Sequence, residues 1–229
     1  MVTRIALFIS LFITGLGACC FGQDPDQRDY YARYTYLNFR SEKLFHEELD
    51  LKNPDIKRLQ SVIFFLTNEI RVKYKLTPLA YSDHLEETAQ MHAESMVRED
   101  YFSHFNPRHS SMETPNDRAR LNHISNPFLA ENIIEGYGLR YISNKQVYVL
   151  GKGKFSYSPD GELLQPHTYI SLGESLLLGW MNSREHRKNI LSRNAVQLGC
   201  GIYFYRDRDF NDMPSCKAVQ DFQWYRPVE

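Results

Sequence analysis

The stretch "LGCGIYFYRDRDFNDMPSCKAVQDFQWY", Leu198 to Tyr225, decides the fold. Two runs of β-type composition, LGCGIYFY and CKAVQDFQWY, flank a polar turn region, RDRDFNDMPS. Aromatic and branched residues on both sides of an Asp-, Arg- and Asn-rich break are a strand–turn–strand pattern. Each run carries one cysteine, Cys200 and Cys216. If the runs pair antiparallel, the two sulfurs come near each other across the hairpin, and a disulfide is the expectation. Closing a loop of that size contributes about 3 kcal/mol in the chain-entropy model. Two free buried thiols are the alternative.

Upstream, the apolar period is helical. Asn53-Pro54-Asp55 opens a helix, with Asn53 as cap and Pro54 in the first turn. Leu59, Val62, Ile63, Leu66 and Ile70 follow at helical spacing, and the helix ends before Thr77-Pro78. A second helix begins at Ser82 or Asp83 and runs to about Glu99, with Leu85, Ala89, His92, Ala93 and Met96 on one stripe. "TPNDRARL" is a short helix with Pro115 in its first turn, and "YISLGESLLLGWM" is a long apolar one. Trp180 and Leu176, one turn apart, belong to its buried stripe. Residues 139–167 form a Tyr-, Lys- and Gly-rich insertion, in which alternation in "KQVYVL" and the turn-forming "SPDGE" predict a β-hairpin. Residues 23–56 are an aromatic and charged extension, partly helical and packed on the domain. Helices first and antiparallel strands last make an α+β protein, with helices layered on an antiparallel sheet.

The 229 residues suit one sizeable domain with appendages, and 15 Tyr and 14 Phe can fill a core. A formal charge of −1 argues against a nucleic-acid binder, which needs a basic surface. Arg4 followed by "IALFISLFITGL", an apolar run too short for an ordinary membrane span, reads as a secretory signal peptide over residues 1–22. "LGAC", Leu16 to Cys19, fits a lipobox that would leave Cys19 lipidated; "CFG", Cys20 to Gly22, fits ordinary cleavage before Gln23. Both exits stay open, and membrane attachment enters only through Cys19. Export in turn permits a disulfide.

Several catalytic signatures fail on single residues. "HEELD" at His46 has Asp50 where a zinc-protease helix needs a second His. "GESLL" at Gly173 lacks the closing Gly of a nucleophile elbow, "GKGKFS" at Gly151 lacks a third Gly, and no CxxC exists. What remains is a scattered set: "FSH" ending at His104, "AEN" centred on Glu131, and "NSREHRKNIL" containing His186. Two imidazoles and a carboxylate can make a partial Zn²⁺ site or a metal-free polar cleft.

Seven blocks stand in a recognisable order: "NEIRVKYKLTPLAYSDHLEETAQMHAESM", "YFSH", "TPNDRAR", "AENI", "WMNSREHRKNIL", "LGCGIYF" and "AVQDF". In this the chain resembles the CAP superfamily (cysteine-rich secretory, antigen 5 and pathogenesis-related 1 proteins), in its bacterial SCP-like branch. The resemblance covers about Leu59 to Trp224, giving a domain over 57–229 with the insertion inside it. It implies a three-layer α-β-α sandwich, a secreted or cell-envelope location, and a cleft lined by His104, Glu131 and His186. It also implies binding roles of many kinds and no shared reaction. Ser183 stands where animal and plant members carry a second Glu, which weakens a metal site, since a neutral Ser is a poor zinc ligand. Ser183 then suits a helix N-cap accepting an N–H, with His186 in the first turn, Arg187 and Lys188 solvated, and Asn189 in a packing or capping role.

The expected function is a cleft-based binding module for a lipid, a peptidoglycan-type fragment or a protein, with aromatic walls from Tyr101 and Phe102. The alternative is a hydrolase in which His104 and His186 hold Zn²⁺ and Glu131 orients a ring or acts as base. The insertion leaves the chain just after Glu131 and returns before the helix leading to His186, so it is expected to cap or line the cleft.

Overall fold

The computed structural model describes residues 29–125 and 127–224; the signal segment and the choice at Cys19 lie outside them. Four strands form the main sheet in the order β1 (Ala80–Tyr81), β5 (Gln197–Asp207), β6 (Met213–Gln223) and β2 (Leu129–Tyr137). The last three are antiparallel neighbours, and the two-residue β1 runs parallel to β5. Helices α2 (Ile56–Lys73) and α5 (Tyr169–Asn182) pack on one face, with α6 (Arg184–Ile190) following α5. Helix α3 (Asp83–Arg98) covers the other face, with α4 (Pro115–Leu121) beside it. This is the expected three-layer α-β-α sandwich.

Local chemistry sets the boundaries. Ser82, one of the two caps the sequence offers, caps α3; at α4 Pro115 lies in the first turn as expected, and Thr114 forms a capping box with Asp117. Helix α2 differs: Asp55, not Asn53, is its cap, accepting from the Arg58 N–H, and Pro54 lies outside the helix. Two glycines of β5 let α3 lie directly on the sheet. A Cβ at Gly199 would sit 2.1 Å from the Glu86 nitrogen, and one at Gly201 would sit 2.2 Å from the Ala89 carbonyl carbon. Between them Cys200 points to the opposite face, into the core with Trp180, Leu176 and Phe222. The extension carries helix α1 (Tyr30–Arg33), and its Phe39 and Phe45 are fully buried in the same core. Tyr31 stacks on Tyr81 at 3.7 Å and joins Lys57 and Tyr81 in hydrogen-bonding the buried Glu86.

The disulfide does not form. Cys200 lies opposite Gln220, and Cys216 lies opposite Phe204. Four residues along a strand is about 13 Å, against the roughly 7 Å limit on Cα separation for a bridge. The strands run further into the polar break than its composition suggests, leaving only Arg208–Asp212 as the turn. Cys200 is therefore seven residues before the closing pair Asp207–Met213 and Cys216 only three after it, so a tight hairpin cannot align them. Both are free, buried thiols; burial pushes Cys216 up to about 12.

The insertion folds as the predicted hairpin, β3 (Tyr148–Gly151) and β4 (Lys154–Ser156). Its turn is at Lys152-Gly153 rather than at "SPDGE". Phe155 anchors it in a satellite core with Leu139 and Met213, packed by Tyr137, Tyr141 and Phe210. The Gly153 N–H also donates to the Asn211 carbonyl in the β5–β6 turn. The hairpin thus sits at the Tyr137 end of β2, about 20 Å along the strand from Glu131. Its anchors lie at that end, against the expectation that it lines the cleft: the chain leaves β2 at the strand's far end, not beside the carboxylate.

Candidate functional site

Strand β2 carries Glu131 into the interface between the sheet and the α3–α4 layer, where its carboxylate is almost fully buried. Three donors meet it. His104 Nδ1 donates to Oε1 at 2.7 Å, Arg118 donates to Oε2 at 2.7 Å, and His92 Nδ1 lies 2.8 Å from Oε2. Burial works to raise the Glu131 pKa, but the hydrogen bonds from His104 and His92, with the His92 and Arg118 charges, outweigh it and hold the group at about 2. Glu131 is therefore an ionised, acceptor-only hub.

Each donor is itself fixed. Arg118, fully buried on α4, also donates to the carbonyls of Met112, Glu113 and His104. His92, fully buried on α3, uses its second nitrogen on the Ser103 carbonyl at 3.0 Å. The "YFSH" loop is thus held from α3 and from α4, and His104 projects from it with its side chain 42% exposed. With Nδ1 committed to Glu131, Nε2 is the nitrogen His104 offers to a ligand.

His186 arrives from the other side. It lies in the first turn of α6, as expected. Asn189 donates to the Asn132 side chain and the Glu131 carbonyl, and Asn132 donates to the His186 carbonyl. These bonds tie α6 to β2 beside the site. Burial, and then the positive charge His104 can carry, push the His186 pKa down. Of the three residues singled out in the sequence, His104 is bonded to Glu131, while His186 stands on the helix that Asn189 and Asn132 tie to the Glu131 segment of β2. Ser183 is the N-cap by position, but its side chain makes no capping bond, a correction to its expected role. Arg187 is exposed, yet reaches the Met181 carbonyl.

Three participants escaped the sequence reading. His92 looked like one more member of a buried stripe, and Arg118 was not singled out within its short helix. The third is Asp221, cross-strand partner of Glu131 on β6. It is fully buried, with both carboxyl oxygens unpartnered by protein donors. Burial, followed by the negative charge of Glu131, raises its pKa well above the usual carboxylate range, so it is held as a neutral acid. Only the alternation of "AVQDF" carried any signal for it.

A zinc site does not fit this donor set. Both Glu131 oxygens are engaged, and the Arg118 guanidinium opposes a second cation there. That leaves two imidazoles, one ligand short of a three-residue catalytic site. Among the described residues, no group of three or more His, Cys, Asp or Glu side chains is placed to hold a metal ion.

The fold and site define a class: three-layer α-β-α proteins in which histidine and arginine side chains from the helical layer close on a buried glutamate of the sheet. The model of the cysteine-rich secretory protein (CAP) family matches residues 64–222, and the chain belongs to that family. It is 28% identical over 140 residues to the uncharacterized membrane protein YlbC of Bacillus subtilis, covering 61% of this chain and 30% of that one. It is 28% identical over 136 residues to the uncharacterized protein YkwD of the same organism, covering 59% and 39%. The chain therefore matches well under half the length of these relatives. Among solved structures it resembles an extracellular protein containing an SCP domain from Bacillus anthracis, with a TM-score of 0.50, 25% identity, and coverage of 74% of this chain and 41% of that one. No helix among the described residues is long and apolar enough to cross a membrane.

Proposed function

We propose that this chain works outside the cytoplasm as a binding module and takes its ligand at the His104–His186 face. A lipid, a peptidoglycan-type fragment or a protein segment would suit that face. The observation that carries the reading is the engagement of Glu131 by His92, His104 and Arg118. With three of about four acceptor sites taken by these donors, the carboxylate serves chiefly to fix His104. What His104 offers a ligand is its Nε2 edge, in the same loop as the exposed rings of Phe102 and Phe105, polar recognition next to apolar surface. Export is supported by the apolar N-terminal segment, and mass spectrometry of the mature N-terminus distinguishes a lipidated Cys19 from cleavage before Gln23.

The test is capture from fractionated envelope lipids and muropeptides by the purified protein, compared with His104→Ala and His186→Ala. Both variants should lose at least tenfold in ligand retained. Retention unchanged in both would remove the imidazole pair from recognition.

One observation favours a second reading. The Glu131–His104 pair has the geometry in which a carboxylate orients a general base through Nδ1 and leaves Nε2 to act. Hydrolysed muropeptides or lipids in the same incubations, abolished by His104→Ala, would select the hydrolase; one equivalent of Zn²⁺ lost in both variants would restore a metal role.

A further inference from the structure

The insertion is excluded from the Glu131 site by position, yet it concentrates exposed apolar surface. It comprises 29 of the 195 described residues but holds five of their thirteen exposed large hydrophobic residues: Ile142, Tyr148, Val149, Leu150 and Leu163. Three are consecutive on β3, at 40%, 46% and 44% exposure, so the strand tip shows apolar side chains on both faces instead of alternating. Lys152 in the turn and Lys154 on β4 flank this tip, both exposed, with the Lys152 side chain 91% so, and the exposed Lys145 precedes β3 with its ammonium 3.9 Å from the Tyr157 ring. Arg140 and these lysines against Asp160 and Glu162 give the insertion a net charge of +2, while the whole chain carries −1. Lys152 has only a long contact, 3.8 Å, to Asp212. The hairpin is also pre-ordered, anchored through Phe155 and the Gly153–Asn211 bond, so docking would not require it to fold.

We propose that the β3–β4 hairpin docks on an anionic lipid surface, with Tyr148, Val149 and Leu150 entering the headgroup layer and the lysines meeting lipid phosphates. Lysine stems lie along apolar surface while their ammonium groups stay at the polar boundary, so one hairpin can satisfy both demands. A peptide partner is less well matched, because the apolar side chains form a protruding tip and not a groove. Such docking would hold the His104–His186 face near the envelope, with the two surfaces at opposite ends of β2.

Co-sedimentation of the full chain with vesicles of mixed phosphatidylglycerol and phosphatidylcholine, and with phosphatidylcholine alone, tests this. The comparison is with Val149→Asp/Leu150→Asp and with Lys152→Glu/Lys154→Glu; any lipid affinity of the N-terminal apolar segment is common to all three proteins. The wild type should bind the anionic vesicles at least tenfold better than neutral ones. The aspartate variant should lose that binding, and the glutamate variant should fall to the neutral-vesicle level while melting at the wild-type temperature. Equal binding to both vesicle types, or variants that bind like wild type, would overturn the proposal. So would self-association that the aspartate variant abolishes in a protein that ignores vesicles, which would assign the tip to a second copy.

Discussion

Glu131 shows how a single residue organises its surroundings. A buried carboxylate with a guanidinium and two histidine rings on it is stable only while the donors stay. Arg118→Leu removes the buried guanidinium and leaves Glu131 short of a partner. Loss of one member of a buried pair typically costs 3–5 kcal/mol, and urea unfolding of the variant should show a loss of about that size. Conservative loss at an exposed cation such as Arg120 should change stability by about 0.5 kcal/mol or less. The cysteines make a second prediction at this scale. With both thiols buried and their pKa values raised, neither Cys200 nor Cys216 should react with iodoacetamide in the native protein, and both should react after denaturation without reductant. Peptide mapping checks this; a Cys200–Cys216 crosslink in the unreduced digest would contradict the β5–β6 register.

At the scale of elements, the decisive contact is α3 on β5. The helix backbone rests on Gly199 and Gly201, and this close approach lets His92 reach across to Glu131 from α3. Gly201→Ala drives a methyl into the Ala89 backbone, which cannot rotate away as a flexible side chain would. Overpacking of this kind costs about 1–3 kcal/mol, and the variant's melting temperature should fall accordingly. The displacement of α3 should also loosen the His92–Glu131 bond, visible as a shift of the His104 ring resonances. Sequence periodicity located α3 to within one residue at each end, because its cap and apolar stripe are local signals. It misplaced the α2 cap by two residues because Asn53 and Asp55 are equally suited by type. Geometry chose Asp55, whose side chain reaches the Arg58 N–H.

Across the whole molecule, protonation couples the site to stability. His167 is pushed from 6.5 to about 4, first by burial and then by the Arg140 charge, and His186 is lowered as well. Both are favoured neutral in the fold, so the unfolded chain takes up more protons below pH 6.5. Their contribution is complete above that value and is lost as pH falls toward 4. Glu131, lowered from 4.5 to about 2, adds a second loss between those values. The urea midpoint should therefore fall in two stages on acidification, and His167→Gln should flatten the first; a midpoint constant from pH 7 to 4 would contradict the burial of these rings. The α+β class, the element order, the family and the pairing of His104 with Glu131 were legible in the chain, since caps, periodicities and ordered motif blocks are properties of short segments. Four things were decided only by tertiary packing. They are the register that separates the cysteines, the far-end docking of the hairpin, the recruitment of His92 and Arg118, and the neutral Asp221 beside Glu131. Each depends on which distant residues share one desolvated space, and no local pattern encodes that distance.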